Sequence, residues 1–200
     1  MKTSVKILAI IALVLSTTYT QAQTRFGIKG GLNSATFAIS ESGVTITPPS
    51  RIGFNFGGIT EIPLETDFYL QSGLLYSTKG FKINGESLST DNLEIPINAL
   101  YKLSVGSIKV LGFAGPYIGY ALSGKAGSAD IEFSGKNKDM NTFDMGLNFG
   151  AGIEISSFQI TAQYGLGLTN LAADSNDGTM KNKVFGISVA YLFSGKYLRY

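Results

Sequence analysis

The chain has 200 residues, of which 15% are charged and 25 are glycine, and it contains no cysteine, histidine or tryptophan. Without cysteine or histidine it can form no disulfide framework, no Ser-His or Cys-His catalytic pair and none of the common zinc sites. The low share of charges and the high share of glycine indicate an all-β chain, a membrane-embedded chain, or both.

The first 22 residues have the organisation of a secretory signal peptide. Lys2 and Lys6 precede nine consecutive apolar residues at positions 7–15, and a short polar stretch then ends at Ala22. This order is typical of a segment removed after export, whereas a membrane-spanning helix needs about 20 apolar residues. We therefore expect a signal peptide over residues 1–22, cleaved after Ala22, and a single mature domain over residues 23–200.

The charge balance of the mature domain argues against a nucleic-acid partner. Loss of the two lysines of the signal peptide from the 16 basic residues leaves 14, which equals the 14 acidic residues. The mature chain has no basic stripe of the kind that binds phosphate backbones. We therefore expect no nucleic acid among its partners.

Eight stretches of the mature chain alternate between apolar and polar or small residues with a period of two, which is typical of β-strands. They are residues 25–34, 51–62, 67–79, 92–103, 108–124, 143–155, 158–169 and 184–193. The stretch 108–124 has apolar residues at both odd and even positions, so the pattern leaves its orientation open.

The connections between these stretches alternate in length. Long polar segments are at 38–50, 80–91, 125–142 and 170–183, and short turns are at 63–66, 104–107 and 156–157. Strict alternation of long and short connections predicts an antiparallel up-and-down meander. Its four long loops are expected at one end, and both termini at the other.

The two faces of the seven clear strands differ in composition. One face has no charge and carries thirteen aromatic residues: Phe26, Phe54, Phe56, Phe68, Tyr76, Tyr101, Phe143, Phe149, Phe158, Tyr164, Phe185, Tyr191 and Phe193. The other face has many glycines and carries nine charges: Arg25, Lys29, Arg51, Glu61, Lys79, Glu94, Lys102, Asp144 and Glu154. The interior of an eight-stranded barrel is only just wide enough for its own side chains, so thirteen rings favour an outward position.

These faces predict an all-β fold: an eight-stranded antiparallel up-and-down transmembrane β-barrel with a polar, filled lumen and an apolar, aromatic exterior. The alternative is a soluble lipocalin-like barrel with the faces inverted, which would carry an apolar ligand. The signal peptide and the absence of charge from one whole face favour the membrane barrel.

Five short motifs along the mature chain carry a resemblance to a known family. They are FGIKGGLN at 26–33, LEIPINALYKL at 93–103, GPYIGYALSGK at 115–125, FGAGIEI at 149–155 and YGLGLTNL at 164–171. In this order the chain resembles the PorT-like small outer-membrane β-barrel family of Bacteroidetes. The resemblance implies a barrel in the cell outer membrane, in contact with outer-membrane lipid and without enzymatic activity. The founding member is linked to protein secretion, so an accessory role in secretion is an alternative function.

The last strand ends in aromatic residues. Tyr191, Leu192 and Phe193 resemble the aromatic-ended final strand that the outer-membrane assembly machinery reads, although a tail at 194–200 follows them. We therefore expect that machinery to be a partner of the chain.

The residues present no catalytic, cofactor-binding or metal-binding set. The nine charges on the polar face are expected to form a structural network of ion pairs in the lumen, because buried charges need partners. An ion or proton relay is the alternative interpretation of the same charges. The resulting hypothesis is a non-enzymatic outer-membrane protein whose long loops act structurally or bind an envelope or extracellular protein.

Overall fold

The computed structural model describes residues 24–41, 43–83, 86–127, 129–133, 140–172 and 178–193. The expected signal peptide and the tail at 194–200 lie outside the described residues. The described part of the chain holds no helix of the length and apolarity needed to cross a membrane.

The described residues form ten β-strands, eight of them long and two short. They are β1 (Arg25–Glu41), β2 (Val44–Ile46), β3 (Arg51–Pro63), β4 (Phe68–Ile83), β5 (Glu86–Val105), β6 (Ile108–Ala126), β7 (Ala129–Asp130), β8 (Phe143–Ile155), β9 (Phe158–Gly167) and β10 (Thr179–Phe193). The short strands β2 and β7 pair only with β1 and β6, respectively.

All ten strands belong to one antiparallel sheet. Each long strand pairs with the next long strand along the chain, in the order β1, β3, β4, β5, β6, β8, β9, β10. The first and last strands also pair, from Phe26 opposite Phe193 to Ser40 opposite Thr179. The prediction of an all-β antiparallel sheet is confirmed, and neither β1 nor β10 is left with a free edge along this register.

Several strands are longer than their sequence patterns predict. The expected long loop at 80–91 is wrong, because β4 continues to Ile83 and β5 begins at Glu86. Phe81 and Leu88 lie in these extensions and pack towards the inside of the sheet. β1 likewise continues to Glu41, and β10 already begins at Thr179. The polar residues of these segments suggested loops, but many of them, such as Lys82 and Lys183, lie on the outer face of continuing strands, whereas Thr90 and Asn182 are buried on the inner face.

The structure resolves the orientation of β6. Leu111, Phe113 and Tyr117 are buried on the inner face, whereas Val110 and Tyr120 are exposed on the outer face. The rings of Phe113 and Tyr117 lie against Gly150 and Gly146, which are their register partners on β8. Glycine on one strand therefore makes room for an aromatic ring on the next strand. This pairing can be identified only once the strand register is known.

The outer face forms an uncharged apolar band. All thirteen aromatic residues assigned to this face by their spacing lie on it, and Tyr120 joins them. Rings on adjacent strands contact each other, with centroids 4.8 Å apart for Phe68 and Tyr101 and 5.0 Å apart for Phe158 and Tyr191. The 13 residues of β8 give about 40 Å of strand and, at a tilt of roughly 40°, a height of about 30 Å.

Two glycines on paired strands allow a test of crowding on the inner face. A Cβ at Gly150 would collide with the carbonyl oxygen of Ala162 and the ring of Phe113, whereas a Cβ at Gly112 has no neighbour nearer than 4.0 Å. We predict that Gly150→Ala lowers the free energy of unfolding by about 1–3 kcal/mol and that Gly112→Ala leaves it unchanged or raises it slightly. Urea unfolding followed by far-UV circular dichroism measures both. Equal effects of the two substitutions would contradict the assignment of Gly150 to a crowded inner face.

Candidate functional site

Seven of the nine charges predicted for the inner face form two clusters and not one continuous network. The first cluster lies near the short turns and is called the turn-end cluster. It consists of Arg25, Glu61, Lys102 and Glu154, with the amides of Gln71 and Gln159. Glu61, Lys102, Glu154 and Gln159 are each at most 3% exposed.

The two cations of the turn-end cluster are each bound by both carboxylates. The Lys102 Nζ atom lies 2.6 Å from Glu61 Oε1 and 2.6 Å from Glu154 Oε2. The Arg25 guanidinium donates two hydrogen bonds to Glu154, of 2.8 and 2.9 Å, and it also pairs with Glu61. Bidentate, charge-assisted contacts of this kind are the strong class of hydrogen bond.

The amide side chains complete the hydrogen bonding of these carboxylates. Gln159 Nε2 donates to Glu61 Oε2 at 2.8 Å and to Glu154 Oε2 at 2.9 Å. Gln71 Nε2 donates to Glu61 Oε2 at 3.1 Å, and the Lys102 ammonium lies 4.4 Å from the ring centre of Tyr69. With two cations, two carboxylates and amide donors, the cluster is electrically balanced, as buried charges require.

The turn-end cluster crosses the interior. Glu61 lies on β3 and Glu154 on β8, which are four strands apart in either direction around the eight long strands. Arg25 and Lys102 each contact both carboxylates. Side chains from opposite sides of the sheet therefore meet at this level of the interior.

The second cluster lies nearer the long connections and is called the loop-end cluster. It consists of Lys79, Glu94, Asp144, Tyr117 and Asn182. Lys79 Nζ lies 2.6 Å from Glu94 Oε1 and 3.4 Å from Asp144 Oδ2. Asp144 Oδ2 also accepts hydrogen bonds from the Tyr117 hydroxyl at 3.0 Å and from Asn182 Nδ2 at 2.7 Å.

Lys29 lies on the inner face outside both clusters. Its side chain is 8% exposed, and no carboxylate oxygen of the described residues lies within 4.0 Å of its ammonium. It lines a cavity of about 30 Å³ together with Glu94, Asn55 and Ser77. A polar cavity of this size has room for one or two water molecules, which would hydrate the ammonium.

Arg51 also lies outside both clusters. It is half-buried at the loop end of β3, and its Nη1 atom has no hydrogen-bond partner among the described residues. The structure therefore brings seven of the nine predicted charges into two clusters and leaves Lys29 and Arg51 apart. The structural role of the whole set stays a prediction.

Sequence reasoning missed the uncharged members of these clusters. Gln71 and Gln159 lie at inward positions of predicted strands, so the alternating pattern places them on the polar face, whereas Asn182 also points inward but lies in the segment 170–183 that the sequence predicted to be a loop. Nothing in the sequence shows which charge each amide binds, because the partners come from other strands.

Sequence reasoning also missed an apolar cluster at the loop end of the interior. Its buried members are Phe37, Phe81, Ile131, Met140 and Leu171. The Phe37 and Phe81 rings meet edge to face with centroids 5.2 Å apart. The expected polar interior is therefore polar only in part, and an apolar layer lies across it at this end.

Within the described residues no group of three or more acidic side chains could hold a metal ion.

An apolar aromatic outer face, a charged inner face and paired first and last strands define the class of membrane-embedded β-barrel proteins. Residues 21–173 match the outer membrane protein β-barrel domain family, and the chain belongs to that family. The prediction that the protein is located in the outer membrane is confirmed. No curated protein sequence matches the chain.

The chain is similar to several solved structures of small outer-membrane proteins. Neisserial surface protein A is 15% identical with a TM-score of 0.52, and the match covers 84% of this chain and 97% of that protein. Ail, the attachment invasion locus protein of Yersinia pestis, is 15% identical with a TM-score of 0.49, over 86% of this chain and 99% of that one. The outer membrane enzyme PagL is 11% identical with a TM-score of 0.44, over 80% and 98%. At these identities the likeness concerns the fold alone.

Removal of Lys102 tests the turn-end cluster. Lys102→Met leaves two buried carboxylates with only Arg25, so we predict a loss of about 3–5 kcal/mol in the free energy of unfolding. The double substitution Lys102→Met/Glu61→Gln restores the charge balance and should recover part of that loss. Urea titrations of the refolded protein measure all three differences.

The control is Lys125→Met, because Lys125 is an exposed lysine near the loop end of β6. It should change the free energy of unfolding by no more than about 0.5 kcal/mol. Loss of the same size at both lysines, or no recovery in the double variant, would contradict the coupling of Lys102 to Glu61.

Proposed function

We propose that the chain forms a closed, eight-stranded up-and-down transmembrane barrel that conducts no solute and acts through its outer surface and loop end. The observation that supports this proposal most directly is that charged side chains from opposite strands meet across the interior. Lys102 and Arg25 both contact Glu61 and Glu154, which lie on opposite sides of the sheet.

Three layers support a closed interior. The turn-end cluster and the loop-end cluster occupy successive levels, and the apolar cluster around Phe37 lies beyond them. Two cavities among these layers have volumes of about 30 and 10 Å³. Such volumes hold single water molecules and not a continuous water column.

A non-enzymatic role is part of the proposal. The chain has no histidine or cysteine, so the usual nucleophile–base pairs cannot form in it. The buried carboxylates Glu61 and Glu154 are already paired with Arg25 and Lys102 and accept amide hydrogen bonds from Gln159. This part of the proposal rests on the residues of this chain and not on the likeness of its fold to other barrels.

The loop-end surface is the proposed site of action. After export and cleavage behind Ala22, the assembly machinery would read Tyr191 and Phe193 at the end of β10, and the long connections would face the cell exterior. The partner bound at the loop-end surface would be an envelope or extracellular protein. An accessory role in secretion, suggested by the PorT-like resemblance, is a second candidate, and the soluble-carrier alternative is not favoured for an outer-membrane protein.

Electrical recording tests the closed interior. We predict that the purified protein, inserted into planar lipid bilayers, gives no stable conductance steps, because two ionic layers and one apolar layer block the axis. A porin reconstituted in the same bilayers serves as the control for insertion and detection. Reproducible steps that scale with the number of inserted molecules would show an open lumen and contradict the proposal.

Site-specific fluorescence tests which part of the outer face contacts lipid. The chain has no cysteine, so Leu147→Cys and Lys82→Cys each accept one label. Leu147 lies within the apolar band, whereas Lys82 lies six residues beyond the last outward aromatic residue of β4, a strand length of about 20 Å. We predict that lipids brominated on their acyl chains quench the label at 147 strongly and the label at 82 weakly. Equal weak quenching at both positions would contradict the lipid-facing assignment.

A further inference from the structure

The outer face has a groove where the first and last strands meet. Its volume is about 460 Å³, within the range of about 300–1,000 Å³ that is usual for small-molecule sites. The walls are apolar side chains of three strands, with Leu32 on β1, Ile52 on β3, and Phe185, Ile187 and Val189 on β10. These side chains are between 46% and 74% exposed, so they stand out from the sheet and border the groove on both sides.

The floor of the groove includes two outward positions of β1 with little or no side chain, Gly30 and Ser34. Gly30 lies on the outer face of β1, between its register partners Val189 on β10 and Phe56 on β3. A Cβ built at Gly30 would meet Phe56 Cδ2 at 3.6 Å and the Asn55 carbonyl oxygen at 3.8 Å, which are ordinary contact distances. The backbone therefore does not require glycine at this position. A larger side chain would fit there and would occupy part of the groove.

Two lysines continue the line of the groove towards the loop end. Lys183 and Lys181 are the next outward residues of β10 beyond Phe185, and each step of two residues is about 7 Å. Their register partners on β1 are the uncharged Thr36 and Ala38. No carboxylate oxygen of the described residues lies within 4.0 Å of either ammonium. The apolar groove thus leads directly to two lysines that form no ion pair with the described residues.

We propose that the groove binds one acyl chain of a membrane lipid and that Lys183 and Lys181 bind the phosphate of its headgroup. The groove is apolar, as the acyl chain is, and the lysines carry the charge opposite to that of the phosphate. Their order along β10 is the order of tail and headgroup in the leaflet at the loop end. The inference rests on the contact of the outer face with lipid and does not depend on whether the interior conducts.

Native mass spectrometry of the full protein, released from nanodiscs of equal phosphatidylglycerol and phosphatidylcholine, tests the proposal. The wild-type protein should retain one lipid, with phosphatidylglycerol in excess. Lys181→Gln and Lys183→Gln should each lower that preference about fivefold, the effect expected for one lysine near an anionic surface. Gly30→Leu should lower the retention of both lipids, because its side chain would occupy part of the groove.

Two control variants separate the groove from general effects. Lys82→Gln removes an exposed lysine on β4, and Gly58→Leu adds a side chain at an outward glycine of β3 that has no neighbour nearer than 4.0 Å. Both should retain phosphatidylglycerol as the wild-type protein does. A folded barrel is verified for every variant by its circular dichroism spectrum.

Three results would overturn the proposal. The first is retention of lipid by Gly30→Leu at the wild-type level. The second is a loss of preference in Lys82→Gln equal to that in Lys183→Gln, which would indicate general surface charge. The third is an unchanged preference for phosphatidylglycerol in both Lys181→Gln and Lys183→Gln, which would show that these lysines do not bind the phosphate.

Discussion

A backbone inside lipid has no water to satisfy its N–H and C=O groups, and this constraint explains the arrangement of the whole sheet. An open sheet would leave two unpaired edges in the hydrocarbon. Here β1 and β10 pair with each other over fifteen positions, from Phe26 and Phe193 to Ser40 and Thr179. The other long strands are each paired on both sides, so hydrogen bonding along the described strands is internal.

Pairing of the first and last strands has a direct consequence for the side chains inside. Eight strands enclose little space, so glycines such as Gly150 and Gly146 lie beneath the rings of Phe113 and Tyr117. Charges confined to this space are costly unless they are paired. The turn-end cluster meets this requirement with two cations, two carboxylates and amide donors that come from strands on opposite sides.

The polarity of both faces reverses towards the loop end. Within the apolar band the outer face is uncharged and the inner face carries the ionic clusters. Beyond it the inner face carries Phe37 and Phe81, and the outer face carries Lys183 and Lys82. This reversal indicates where the strands leave the lipid while they remain paired. The groove beside Gly30 ends at that boundary, where an acyl chain would meet its headgroup.

The sequence by itself determined which residues of the seven clear strands share a face, because a period of two assigns neighbours such as Leu147 and Asn148 to opposite faces in any strand pairing. It also placed the nine charges on the inner side, from Arg25 to Glu154. It failed at 80–91, where the outer face of β4 and β5 is polar because the strands have left the lipid, and at β6, where both faces are apolar. Only the tertiary structure decided the ion pairs and the apolar cluster. Glu61 and Glu154 are 93 residues apart in sequence, and the closure that brings them to the same two cations depends on the register of all eight long strands.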